Sequence, residues 1–189
     1  MKYKNFIIKR LTKAAWQDYI LPIGYTADSF YDVKIDRHGE DFCISLKRTP
    51  LAVPAVHTPE EHDFPDRLFA PHWVNARAYG AFDGDKLAGA IEFCPESWTN
   101  RLRVTELWTD ENHRRMGLGT TLMNIAKKYA TDRKMRMVIL ETQSCNINAI
   151  DFYFSQWFTL AGVLPYDYSN GDISAHEVRL ELGWFCDKN

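Results

Sequence analysis

Apolar positions in the second half of the chain follow three different rules. From His176 to Trp184 they alternate, with Val178, Leu180, Leu182 and Trp184 at every second place, as in a strand with one buried face. Leu118, Leu122, Ile125, Ala126 and Tyr129 recur three or four residues apart and predict one amphipathic helix. Met137-Val138-Ile139-Leu140 is continuously apolar, the pattern of a strand buried on both faces. Further strands are predicted over Asn5 to Lys9, Leu102 to Thr109 and Thr159 to Val163, with a short helix over Lys13 to Ile20. Tyr31 to Arg48 reads as a hairpin turning at Asp36-Arg37-His38-Gly39, and Val74 to Phe82 with Lys86 to Phe93 as another across Asp83-Gly84-Asp85. Thr49 to Pro71 holds five prolines and reads as an irregular excursion with a short helix near Asp66; loops this long often serve function. Hairpins followed by a strand-helix-strand-helix unit predict a mixed sheet with helices packed on it.

One junction between these elements carries chemistry. The strand ending at Thr109 passes through Asp110-Glu111-Asn112-His113-Arg114-Arg115-Met116-Gly117-Leu118-Gly119-Thr120 directly into the helix. Gly117 and Gly119 let main-chain N–H groups converge without Cβ atoms in the way, at the positive end of a helix dipole. Arg114 and Arg115 add permanent positive charge suited to phosphate oxygens. The implied ligand is a diphosphate or similar anion. Neither Gly-x-x-x-x-Gly-Lys-Ser/Thr nor Gly-x-Gly-x-x-Gly is present, since the residue three after Gly119 is Leu122, so the common nucleotide loops are excluded.

The order Arg114-x-x-Gly117-x-Gly119 resembles the pyrophosphate turn of the GNAT superfamily of acyl-CoA N-acetyltransferases. Asn146-x-x-Ala149-x-x-Phe152-Tyr153, one strand and one helix later, is similar to that family's second signature. Ala149, Phe152 and Tyr153 share a helical face, and Asn146 or Asn148 suits the helix start. Trp98, Val104-Thr105-Glu106-Leu107 and Leu140-Glu141-Thr142-Gln143 further resemble the streptothricin acetyltransferase branch over roughly residues 79–168. Glu106 stands where Asp is expected, Glu111 where Pro is common, and Trp157 where Gly would end the helix; without that glycine the helix is expected to end by another route.

The resemblance implies an α/β fold of the α+β type, a mixed and mostly antiparallel central sheet of about seven strands flanked by helices. It implies acetyl-CoA as cosubstrate, held by Leu107, Trp108, Thr109, Arg114, Arg115, Met116, Gly117, Leu118, Gly119, Thr120, Asn146, Ala149 and Tyr153. Main-chain groups of Trp108 and Thr109 are expected to pair with the pantetheine amides, and Asn146 to bind the same arm. A lysine-like acceptor amine has a pKa of ~10.4, so presenting it neutral at pH 7 costs ~4–5 kcal/mol and calls for a base. Glu106 is the candidate base and Tyr153 the candidate acid for the departing thiolate. The implied acceptor is a primary amine of a small cationic molecule such as a streptothricin-like antibiotic, which would make the protein a resistance enzyme. A protein lysine or N-terminus, or a non-catalytic acyl-CoA-binding regulator, are the alternatives. Many relatives form homodimers through the sheet or its C-terminal strands, with which Trp184-Phe185 is compatible.

Composition narrows this further. The 189 residues suit a single domain, and a net charge of -2 gives no general basic character for a nucleic-acid partner. No apolar run approaches a membrane span or a signal peptide, so a cytoplasmic protein is expected. Cys43, Cys94, Cys145 and Cys186 lack paired spacing and are expected as free buried thiols. His57 and His62 are not at a recognised ligand spacing, so no metal is expected. Lys127, Lys128, Arg133, Lys134 and Arg136 read as a solvated helix face and its exit. Glu60, Glu61, Asp63, Asp66, Glu92, Glu96, Asp167 and Asp172 would favour a cationic substrate if several faced the site.

Overall fold

The computed structural model describes residues 6–61 and 65–186. In chain order the elements are β1 (Ile7–Leu11), α1 (Lys13–Trp16), β2 (Tyr25–His38), β3 (Asp41–His57), β4 (Arg77–Asp83), β5 (Lys86–Glu96) and β6 (Arg101–Thr109). There follow α2 (Leu118–Asp132), β7 (Met137–Gln143), α3 (Ile147–Ser155), β8 (Thr159–Leu164), α4 (Asp172–Ala175) and β9 (Arg179–Phe185). A seven-stranded sheet runs β1-β4-β5-β6-β7-β9-β8, while β2 and β3 form a separate two-stranded ribbon. The β6–β7 pair is parallel, and β1–β4, β4–β5, β5–β6 and β8–β9 are antiparallel, so the expected mixed, mostly antiparallel sheet is present. Asn5, His62 and Asp63, which entered the expectations above, lie outside the described residues.

The chain divides into two compact units, each assembled from separated stretches. The first takes residues 1–23, 59–139 and 185–189. Its core gathers Leu11, Leu21, Leu68, Phe69, Ala78, Phe82, Leu87, Ala90 and Trp108. Helix α2 buries Leu118, Leu122, Met123, Ala126 and Ala130, while Ile125 and Tyr129 of the expected stripe stay half-buried. Tyr129 lies 5.1 Å from the Phe93 ring and under the guanidinium groups of Arg77 and Arg133. Gly89 on β5 is what admits α2 so closely: a Cβ there would lie 3.0 Å from the Trp108 carbonyl oxygen and 3.1 Å from a Leu118 methyl.

The second unit takes residues 24–58 and 140–184. The predicted hairpin is present and far longer than expected, because its strands run from Tyr25 to His57. Prolines 50 and 54, read as breakers, sit inside β3. Among the described residues that strand pairs only with β2, and its register breaks between Ser29↔Pro50 and Ala27↔Ala55, so the missing N–H groups cost little. The ribbon's apolar face leads into a core of Val33, Ile147, Ile150, Val178 and Leu180. Arg48 Nη1 donates to both carboxylate oxygens of Asp151, and Asn148 Nδ2 donates to the Thr26 carbonyl at 2.8 Å, tying the ribbon to α3.

Other expectations need correction. The helix after β1 stops at Trp16, because the chain turns through Asp18 in the left-handed region (φ 60°). Among the described residues no helix forms near Asp66; a 3-10 turn occupies Pro59–Glu61, and Arg67 bridges to Ile20. Among the described residues the four cysteines form no disulfide, but Cys43 is exposed and Cys186 only partly buried, so just Cys94 and Cys145 are buried as expected. Among the described residues no helix is long and apolar enough to cross a membrane.

Candidate active site

Strand β6 carries the candidate base on a bulge. Glu92 on β5 faces Glu106, yet its neighbour Phe93 faces Val104, so Thr105 is the extra residue. A bulge twists its strand and re-aims the side chain beside it. Thr105 Oγ1 donates to Glu92 Oε1 at 2.9 Å, and the Phe69 N–H donates to Glu92 Oε2 at 2.6 Å, so a fully buried carboxylate anchors the distortion next to Glu106. Burial pushes the Glu92 carboxyl up from its ordinary range, against those two hydrogen bonds. Glu106, Leu107 and Thr109 are half-buried. Trp108 is buried and its indole N–H donates to the Pro22 carbonyl at 3.2 Å, which leaves only its main chain to meet a ligand.

The turn after β6 is a cradle of main-chain donors. Asp110 caps a 3-10 turn, Glu111–His113, by accepting from the Asn112 N–H at 3.1 Å. Arg115 (φ 61°) and Gly117 (φ 79°) then adopt left-handed backbone on either side of Met116. Left-handed residues alternating with ordinary ones swing successive N–H groups toward one point. Among the described residues no protein acceptor receives the N–H groups of Arg115, Met116 or Gly117. The first turn of α2 adds its own unpaired donors and positive dipole end. Residues 114–117 are exposed, Leu118 is buried, and Gly119 and Thr120 are half-buried. Gly117 is the glycine that the conformation requires, whereas Gly119 lies within the helix.

In the second unit, the Asn146 side chain accepts from the Ala149 N–H at 3.2 Å and caps α3, while Asn148 turns away to β2. The buried stripe of α3 is Ile147, Ile150 and Tyr153; Ala149 and Phe152 are half-buried, so the expected common face is narrower than the sequence suggested. Tyr153 is buried, its ring 5.4 Å from Phe152 and 5.9 Å from Phe158. The helix does not end by another route. Trp157 itself takes the left-handed conformation (φ 65°), its N–H donating to the Phe154 carbonyl and that of Phe158 to the Tyr153 carbonyl. This is a Schellman ending with tryptophan in the glycine position.

Residues 44–155 match the acetyltransferase (GNAT) family. The chain belongs to that family. A streptothricin acetyltransferase of Escherichia coli is 30% identical over 111 residues, 59% of this chain and 63% of that protein, so less than two thirds of its length is matched. A nourseothricin acetyltransferase structure superposes with TM-score 0.74 at 24% identity, covering 96% of this chain and 99% of that one. A Bacillus anthracis protein solved with acetyl coenzyme A superposes with TM-score 0.70 at 19% identity, covering 98% and 100%. At these identities the two structures show the fold.

The acidic residues of this GNAT protein are mostly occupied. Burial raises the Glu96 carboxyl, but the hydrogen bonds and charges of Arg103 and Arg101 outweigh it and hold it below its ordinary range. Asp172 is buried and accepts from the Tyr168 N–H and the Ser169 hydroxyl, nucleating α4. Asp167 pairs with Arg179, which also meets Glu141 and Glu181. Glu60 and Asp66 are exposed, and His57 stacks on Tyr25 at 4.5 Å. Sequence reading missed His113, a buried imidazole behind the phosphate turn; the spacing Asp110-x-x-His113 was its available signal. It also passed over Gly89, whose role is visible only once α2 lies against β5.

Proposed function

We propose that this protein transfers the acetyl group of acetyl-CoA to a primary amine of a small cationic molecule, with a streptothricin-like antibiotic as the acceptor. The observation that carries the reading is the turn at Arg115 and Gly117, whose N–H groups have no acceptor among the described residues and whose exposed arginines suit a pyrophosphate. The streptothricin acetyltransferase match supports the acceptor class. The neutral amine attacks the thioester carbonyl, the new C–N bond forms, and the C–S bond breaks. Glu106 takes the proton of the amine and Tyr153 returns one to the departing thiolate; orientation of the two reactants supplies much of the acceleration. The bulge at Thr105 supports Glu106 as a position where the side chain is deliberately aimed. Main-chain groups of Leu107, Trp108 and Thr109, together with Asn146 and Ala149, are assigned to the pantetheine arm. The whole chain acts as one catalytic domain in this reading, since neither compact unit is continuous in sequence. A cytoplasmic location is part of the same proposal, and use of acetyl-CoA is compatible with it.

The test is acetyl-CoA-dependent thiol release against streptothricin, aminoglycosides, polyamines, free lysine and lysine peptides. One selective small-molecule acceptor is expected, with Glu106→Gln lowering kcat about a hundredfold and Tyr153→Phe also reducing it. CoA binding with no release on any small amine would shift the assignment to a protein acceptor or a non-catalytic regulator.

A further inference from the structure

His113 is 6% exposed and lies immediately before the exposed phosphate turn. Its Nδ1 is 2.8 Å from Asp110 Oδ1 and its Nε2 is 3.2 Å from Asp83 Oδ2. Ionised carboxylates only accept, so both bonds form together only when both ring nitrogens donate. The Phe6 ring packs edge-on against the imidazole at 5.7 Å. Lys86 Nζ reaches the other oxygen of Asp110 at 3.4 Å, and the Asp110 N–H donates to the Ala88 carbonyl at 2.9 Å. The turn between β4 and β5 and the exit of β6 therefore share one charged cluster whose centre is His113.

Four exposed residues, Arg114 to Gly117, span the interval between two buried side chains, His113 and Leu118. Within that span Arg115 holds left-handed backbone without a glycine's freedom and, among the described residues, without an acceptor for its N–H. Such strain persists only where the surroundings over-determine it. With both ends fixed, a span this short has few conformations, and the donors are already gathered before an anion arrives. Releasing the His113 end would return the turn to a wider ensemble, and ordering it would then be charged against binding.

We propose that His113, clamped between Asp83 and Asp110, is the positioning residue of the phosphate turn and sets the affinity for the pyrophosphate of CoA. It acts through Arg115, Met116 and Gly117 and touches no reacting atom. The inference rests on the CoA reading of the turn. His113→Phe keeps a ring against Phe6 and donates to neither carboxylate. His113→Asn can restore a donor toward Asp110 alone.

Calorimetric titration of CoA into the full-length protein, paired with acetyl-CoA kinetics on the accepted amine, tests it. The expected result is about tenfold weaker CoA binding in His113→Phe, KM for acetyl-CoA rising in parallel while kcat holds, and partial recovery in His113→Asn. A general loss of structure would instead lower kcat along with the melting temperature. CoA affinity within about twofold of wild type in folded His113→Phe overturns the proposal while the function stands. Absence of CoA binding by the wild-type protein overturns the CoA reading and this inference with it. Should His113→Phe not fold, His113→Asn decides by the same measures, weaker binding at constant kcat supporting the proposal and unchanged binding overturning it.

Discussion

The phosphate turn and the helix ends solve the same backbone problem in opposite ways. At the ends of α2, α3 and α4 the left-handed position is filled by Lys134, Trp157 and His176, none of them glycine. Each is held by a pair of main-chain bonds: Lys134 N–H to Thr131 and Met135 N–H to Ala130, Trp157 to Phe154 and Phe158 to Tyr153, His176 to Ile173 and Glu177 to Asp172. In the turn, among the described residues, Arg115 and Gly117 have no such bonds, which leaves their donors available to the ligand proposed above. Where hydrogen bonds enforce a left-handed residue, its type matters little. Where the donors must stay free, the conformation has to come from the residue itself and from anchors on either side.

The largest effect that sharpens this contrast is expected at Gly117. Gly117→Val has open space for its side chain, yet a β-branched residue is strained at φ 79°. CoA affinity should fall about tenfold to a hundredfold, the equivalent of ~1–3 kcal/mol of backbone strain, by calorimetric titration. Retained affinity would show that the anchors alone shape the turn. Gly89→Ala breaks the comparison from another side, since that glycine serves close approach and has no left-handed backbone. It should destabilise the fold by ~1–3 kcal/mol in urea, as overpacking between β5 and α2 does elsewhere. Trp157→Gly should do the reverse and stabilise by ~0.5–1 kcal/mol, because the tryptophan side chain is 74% exposed and little burial is lost. A decrease would mean that Trp157 makes a contact worth more than its strain.

The smallest effect concerns the cluster that fixes one end of the turn. The hydrogen bond from His113 holds the Asp110 carboxyl below its ordinary range; burial opposes this and Lys86 reinforces it. A depressed carboxyl stabilises the fold fully above its unfolded-state value, near pH 4, and that stability is lost as pH falls through the lower folded-state value. Urea midpoints followed from neutral to acid pH should therefore decline less steeply in Asp110→Asn than in wild type. Parallel curves would remove Asp110 from the acid response.

Elements with a strong period were legible in the sequence. Strand β6, helix α2, strand β7, the Arg114-x-x-Gly117-x-Gly119 turn and the Asn146-x-x-Ala149-x-x-Phe152-Tyr153 motif needed only local patterns, and the fold class followed from their order. The ribbon's length was not legible, because Pro50 and Pro54 look like breakers unless β3 is known to pair on one side alone. Helix α4 depends on Asp172 folding back onto Tyr168 and Ser169, a contact with no periodic signature. The end of α3 was misread because sequence reports which residue prefers a left-handed backbone, while the Schellman bonds report which residue must adopt it. Of the proposed site, Glu106, Arg115 and Gly117 were visible as residue types at fixed spacings. Glu92 and His113 were not, since the bonds that give them a role come partly from distant residues, Phe69 and Thr105 for Glu92 and Asp83 for His113.

The bulge at Thr105 also constrains changes of length. Side chains in a strand alternate faces, so one extra residue decides which neighbours share a face with Glu106. An insertion or deletion between Val104 and Glu106 would reverse that parity and turn the carboxylate to the other face. Substitutions along β6 leave that parity intact, whereas a change of length beside the bulge does not.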